Sequence, residues 1–321
     1  MNTKTKHATF FSIALALAGA AFIGHSASAQ TAIGIQTQAA SSVDFTPVSV
    51  PVSAADPSTV IWPAIKASAA IVFDPISNQI LYQKNANEEH SMASLVKIMT
   101  AATADEFLKM NPKLATQTVK VTSRIEANAA DRSLIDGSSW YPKDLVNYML
   151  IGSSNKAAES IASNIVPKAA FVSYMNFMTK ELGLTSTRFF NETGLPIIDA
   201  KTKKESSAGI TTAREMAGLL WNIIQKKPGL LDVTAAESVE YANGNGKTVI
   251  HVDNTNRLLH DLPIRFGKTG FTQFAGGNLA VVLQKDDASN PYVIVVLNST
   301  EEDRFNDVRA LANVTMANFT R

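Results

Sequence analysis

Three short clusters along the 321-residue chain hold the residue types that acyl transfer to a serine requires. Ser94-Leu95-Val96-Lys97 opens a predicted helix, Ser153-Ser154-Asn155 sits at a predicted helix–helix junction, and Lys268-Thr269-Gly270 begins a predicted strand segment running toward Ala280. A serine hydroxyl is a weak nucleophile unless a base lies within hydrogen-bond reach. Three residues apart at a helix start, Ser94 and Lys97 share a face, with Cβ atoms about 5–6 Å apart. The helix N-terminus disfavours a nearby positive charge. Burial or a second cation pushes a lysine the same way, and Lys268 is the candidate for that cation. Free lysine titrates near ~10.4, so a base at neutral pH needs a depression of roughly 3 pH units, about 4 kcal/mol. Lys97 is the expected general base, worth on the order of 10²–10⁴ in rate. Ser153 is expected to relay a proton to the leaving amine, and Asn155 to hold a substrate amide and the Lys97 side chain. Lys268 and Thr269 are expected to bind a free carboxylate. Gly270 is expected to let a substrate backbone lie along the strand edge without meeting a Cβ. The expected oxyanion donors are the backbone N–H groups of Ser94 and Phe271, each worth about 2.7–4 kcal/mol.

Singly these clusters are weak signals. A chain of this composition yields about two Ser-x-x-Lys matches by chance, and Ser153 to Lys156 is indeed a second one. Alone, Ser94 reads as a helix cap, Lys97 as a solvated helix residue, Asn155 as a helix terminator and Lys268 as a surface charge on a strand. Composition removes several rival chemistries. The chain has no cysteine, which excludes disulfides, thiol catalysis, Cys-ligated zinc and iron–sulfur clusters. After the first 29 residues the histidines are His90, His251 and His260, with no His-Glu-x-x-His cluster, so a metal-dependent peptidase fits poorly. Neither Gly267-Lys268-Thr269 nor Gly246-Lys247-Thr248 follows a glycine at P-loop spacing, and no serine lies in Gly-x-Ser-x-Gly. A net charge of +1 without a basic run leaves no general attraction for nucleic acid or anionic lipid.

The elements that must position these residues follow from periodicity. Ser68 to Phe73 and Gln79 to Gln83 read as strands joined by the turn residues Asp74-Pro75-Ile76-Ser77-Asn78. Ser94 to Met110, Asp144 to Ile151, Ala157 to Ile165, Phe171 to Leu182 and Thr212 to Ile224 carry helical spacing. Asn278 to Leu283 and Tyr292 to Leu297 are Val-rich apolar runs expected of strands covered on both faces. Asp303 to Phe319 closes the chain as a helix. Strands at both ends and helices between them predict an α/β (α+β) fold: one sheet built from both termini, with a helical lobe inserted at about 100–225.

The N-terminus reads as a secretory signal over residues 1–29. Lys4, Lys6 and His7 precede the short apolar run Phe10 to Ile23, and Ala27-Ser28-Ala29 supplies the small-x-small cleavage pattern. Residues 30–59, rich in Ala, Ser, Thr, Pro and Val, read as a flexible linker, with the folded domain covering 60–321. The expectation is an exported protein, periplasmic or at the outer face of the cytoplasmic membrane, with no stable anchor after cleavage.

From Ser68 onward the chain resembles the low-molecular-mass penicillin-binding proteins, the serine D-Ala-D-Ala carboxypeptidases and their endopeptidase relatives. The stretches that carry the resemblance are MASLVKIMTA, GSSWYPKDLVNYMLIGSSNKAAESIA, FVSYMNFMTKELGL, TRFFNETGL, TTAREMAGLL, NTNRLL and KTGFTQFAGGNLAVV. The resemblance implies a β-lactamase/transpeptidase-like fold, an antiparallel sheet flanked by helices, with the site between sheet and helical lobe. It also implies peptidoglycan stem peptides as substrate, β-lactam antibiotics as covalent inhibitors acylating Ser94, and no metal or organic cofactor. The expected activity is that of a DD-carboxypeptidase. Cleavage of cross-links and a non-catalytic wall-binding role are the alternatives. No Glu-x-x-Leu-Asn loop of the class A β-lactamase kind is present. Two departures stand out: the family pattern Ser-Gly-Asn-Asp reads here Ser153-Ser154-Asn155-Lys156, which adds a side chain and reverses a charge beside the site. The extra β-domain and C-terminal membrane helix of many relatives are not found before Arg321, so a soluble form is expected.

Overall fold

The structure is a computed structural model that describes residues 56–123, 125–242 and 249–319. The predicted signal segment and most of the predicted linker lie outside the described residues.

A five-stranded antiparallel sheet is assembled from the two ends of the folded part. Strands β1 (Ala69–Asp74) and β2 (Gln79–Lys84) come from the start, and β3 (Ile264–Thr272), β4 (Gly276–Leu283) and β5 (Tyr292–Ser299) from the end. Their order is β3-β4-β5-β1-β2, so the sheet closes where Ala69 pairs with Leu297 and Phe73 with Val293. The predicted β1–β2 turn forms as its residues dictate: Asp74 Oδ1 accepts from the backbone N–H of Ile76 at 2.9 Å, and Asn78 takes a φ of 55°.

The central strands are apolar throughout residues 69–73, 279–283 and 292–297 because each face meets its own core. Ile71, Phe73, Ala280, Val282, Val293, Val295 and Leu297 join the core of the helical side, while Ala70, Val72, Leu279, Val281, Ile294 and Val296 join a second core. The period of two survives, but both phases are hydrophobic. Six longer helices follow the predicted spacing: α1 (Val96–Met110), α2 (Pro142–Ile151), α3 (Asn155–Ile165), α4 (Lys168–Glu181), α5 (Ala213–Lys226) and α6 (Asp303–Phe319). Helix α5 brings Ala213, Met216 and Leu220 to the first core, and α6 brings Phe305, Val308 and Leu311 to the second. Thr212 caps α5 by accepting from Glu215 N at 3.1 Å.

Three placements differ from expectation. Ser94 lies in a 3₁₀ turn (Ala93–Leu95) ahead of α1 rather than inside the helix. Asn155 is the first residue of α3, not part of a gap between helices, because Ser154 serves as its cap and accepts from Ala157 N at 3.0 Å. Lys268-Thr269-Gly270 occupies the middle of β3, which ends at Thr272; the run toward Ala280 belongs to the next strand. The strand pair Ser238–Ala242/Val249–Asp253 and the small sheet of His90–Ser91, Gly209–Thr211 and Arg188–Phe189 were not predicted, the strands of the small sheet being only two or three residues long. Among the described residues no helix is long and apolar enough to cross a membrane.

Candidate active site

The nucleophile turn is held from two sides by glycines. Ala93 adopts a φ of 45°, a left-handed conformation uncommon for a residue with a Cβ. It places Ser94 against edge strand β3, where a Cβ on Gly270 would stand 2.8 Å from Met92 O and 3.2 Å from Ser94 N. On the other side Gly194, at φ +89°, packs so closely that a Cβ would come within 2.9 Å of Ser94 Cα. Gly270 was expected to make room for a substrate backbone. It makes room instead for the turn that carries the serine.

Lys97, in the first turn of α1, is fully buried. Its Nζ lies 3.0 Å from Ser94 Oγ and 2.8 Å from Asn155 Oδ1, and it also donates to the Thr193 carbonyl. Burial lowers its pKa to about 7, against the opposing pull of Asp131 and Glu192. Removal from water is the largest cause of this depression. Lys268 is itself pushed well below the ordinary lysine range, first by burial and then by the charges of Lys97 and Arg304.

The proton inventory of this amine is informative. A neutral amine has two hydrogens and one lone pair. Asn155 Oδ1 and Thr193 O are carbonyl oxygens and only accept, so they take both hydrogens. The lone pair is left facing the Ser94 hydroxyl, the geometry a general base requires.

Lys268 Nζ donates to Ser153 Oγ at 2.9 Å and to Thr269 O at 3.0 Å. Ser153, with a φ of 56°, is held from behind by Asn128, whose Nδ2 donates to Ser153 O at 3.0 Å. Thr269 Oγ1 lies 2.6 Å from Thr255 Oγ1. Phe271 is 37% exposed on the same strand. The structure thus gathers Ser94, Lys97, Ser153, Asn155, Lys268, Thr269 and Gly270 through one continuous set of contacts.

Asn155 holds the Lys97 side chain as expected, accepting from its Nζ, and its Nδ2 donates to Asp131 Oδ2 at 3.0 Å in a buried setting. Lys156 differs from expectation: its amine ends on Asp136 Oδ1 at 2.8 Å and the Leu134 carbonyl at 3.1 Å. The reversed charge is thereby paired inside the 134–136 loop instead of standing free beside the nucleophile.

Thr193, Asp131, Asn128, Thr255 and Arg304 escaped the sequence reading. Thr193 and Thr255 fall within the stretches TRFFNETGL and NTNRLL, which carried the resemblance without assigning roles. Asp131 had a faint local signal, since Asn128 caps the short helix Ala129–Ser133 by accepting from Asp131 N at 2.8 Å. Arg304 donates to Gly270 O at 2.9 Å and lies 5.8 Å from the Phe271 ring centre. Nothing in the helical pattern of α6 marks it.

Residues 55–301 match the D-alanyl-D-alanine carboxypeptidase family, peptidase family S11. The chain belongs to this family. It is 29% identical over 268 residues to the D-alanyl-D-alanine endopeptidase of Escherichia coli K12, a match covering 80% of this chain and 79% of that one. The D-alanyl-D-alanine carboxypeptidase DacC of the same organism is 30% identical over 274 residues, covering 81% of this chain but 64% of DacC. Among solved structures, penicillin-binding protein D2 of Listeria monocytogenes in its ampicillin-bound form is 27% identical, with a TM-score of 0.67 over 78% of this chain and 98% of that one. The fold is that of the penicillin-binding serine peptidases, as the resemblance implied.

Proposed function

We propose that the chain is a serine D-alanyl-D-alanine carboxypeptidase that trims peptidoglycan stem peptides through a Ser94 acyl-enzyme. The observation that carries this reading is the buried Lys97 amine, 3.0 Å from Ser94 Oγ, with its two other contacts on carbonyl oxygens. In acylation the Ser94 hydroxyl passes its proton to Lys97 Nζ while Oγ bonds to the carbonyl carbon of the penultimate D-Ala. The C–N bond to the terminal D-Ala breaks, and the departing nitrogen takes the proton that Lys97 received, relayed through the Ser153 hydroxyl that Lys268 holds, so Lys97 is neutral again. Water then attacks the ester and gives its proton back through Lys97, so Ser94 is regenerated and a shortened peptide leaves.

Lys268 and Thr269 are the groups for the terminal carboxylate. An arriving anion favours the charged form of a lysine whose pKa burial lowers. The N–H groups of Ser94 and Phe271 are the oxyanion donors in this reading. β-Lactams enter by the same route and stop at the acyl stage. The N-terminal pattern supports action outside the cytoplasm.

One observation favours a second reading, cleavage of cross-links. The E. coli endopeptidase and this chain match through about four-fifths of both lengths, at 80% and 79%. Incubation of pure protein with a pentapeptide and with a cross-linked dimer distinguishes the two. Free D-Ala from the pentapeptide supports carboxypeptidase action, and monomers from the dimer support endopeptidase action. If neither appears, the catalytic reading fails and a wall-binding role takes its place.

A further inference from the structure

The resting geometry of Lys97 depends on which end of the Asn155 amide faces it. An amide turned the other way would aim an N–H at the lone pair that must receive the Ser94 proton. The two ends of an amide have nearly the same shape, so packing alone does not choose between them. A carboxylate does, because it accepts and never donates. Asp131 is fully buried and meets only donors. Its Oδ2 accepts from Asn155 Nδ2 at 3.0 Å and Ala127 N at 3.1 Å, and its Oδ1 from Ser154 Oγ at 2.7 Å and Lys156 N at 2.8 Å.

We propose that Asp131 is a positioning residue for catalysis, locking the Asn155 amide so that its oxygen, and not its nitrogen, faces Lys97. Ser154 belongs to the same device. Its hydroxyl both caps α3 and donates to Asp131, which gives the unusual middle residue of this motif a use. The inference rests on the reading of Lys97 as the base.

The test is the acylation rate of Ser94 by a fluorescent penicillin, followed from pH 5 to 9 in the full chain, with melting temperature recorded alongside. In Asp131→Asn, one oxygen becomes an NH₂ group facing donors, and the Asn155 amide is free to turn. The expected loss is about 10–100-fold at pH 7.5, the range of one misdirected proton-transfer group. The groups that bear on the Lys97 charge are Asp131, Glu192 and Lys268. Loss of the Asp131 charge should therefore carry the acid limb to lower pH. Loosened packing that admits water to Lys97 would move the limb upward and would count against the proposal.

In an Asn155→Ala background the Asp131→Asn change should cost less than about threefold, as coupled sites are non-additive. An equal loss in both backgrounds overturns the proposal. If Asp131→Asn does not fold, a crystal structure of the wild-type penicillin adduct decides, since an Asn155 Nδ2 that has left Asp131 is equally fatal. Failure of the underlying reading looks different: wild-type protein takes no label at Ser94, or Lys97→Met labels at the wild-type rate.

Discussion

Lys268 Nζ donates to Ser153 Oγ at 2.9 Å, so the second amine of the site is bonded to Ser153 and not to Ser94. The two lysines are thus bonded to different serines, Lys97 to Ser94 and Lys268 to Ser153, which in the proposed mechanism are the attacking group and the proton relay. Ser153→Ala should slow acylation by a fluorescent penicillin by about 10–100-fold, as loss of a proton-transfer group does. The adduct should still map to Ser94 by peptide mass spectrometry, while Ser94→Ala should form none.

A base with its pKa lowered to about 7 leaves a signature in the pH profile. Acylation by penicillin should rise through that pH, because the amine acts only after losing its proton. The same depression has a sign for stability. Between about 7 and the ordinary value of 10.5 the unfolded chain holds the Lys97 proton and the folded chain does not, so stability rises with pH across this window. Urea midpoints of wild type and Lys97→Met should converge or cross as pH increases, with wild type gaining up to about 5 kcal/mol relative to the variant.

Gly270→Ala tests the close approach of β3 to the nucleophile turn. The added methyl would meet the Met92 carbonyl at 2.8 Å and backbone nitrogens of Ser94 and Leu95 at 3.2 and 3.3 Å, none of which can rotate away. A cost of about 1–3 kcal/mol in denaturant stability is expected from such overpacking. Acylation should fall at least tenfold, because the strand and the serine are forced apart.

Lys156→Met separates a structural role from a catalytic one. Removing this amine leaves Asp136 and the Leu134 carbonyl without their buried donor. Asp136 is itself half exposed, so the loss should fall toward the lower end of the roughly 3–5 kcal/mol seen when a buried pair is broken. Acylation of the folded variant below its melting temperature should change less than about threefold.

The fold was legible where burial is one-sided or a turn is chemically explicit. Asp74 to Asn78 announced the first hairpin, and the spacing of α5 and α6 announced amphipathic helices. The candidate site was legible as motifs because Ser94 and Lys97, which meet at 3.0 Å, sit three residues apart. Their supports were not. Thr193 acts through a backbone carbonyl, which no residue type encodes. Asp131 lies 24 residues from Asn155, and nothing local says that its carboxylate turns inward. Gly270 was read with the right residue and the wrong neighbour, since a strand pattern does not reveal which turn passes beneath it. The lowered pKa of Lys97 was anticipated in direction and in burial as a cause.

The pairing of Ala69 with Leu297 joins positions 228 residues apart in the chain. Everything between them must be tethered before the edge strand can settle against the Ser94 turn, and such distant closures are slow to form. A nascent or truncated polypeptide containing Ser94 and Lys97 would still lack the strand that carries Lys268 and Thr269. The site of the proposed reaction is therefore complete only once the last two strands have joined the sheet.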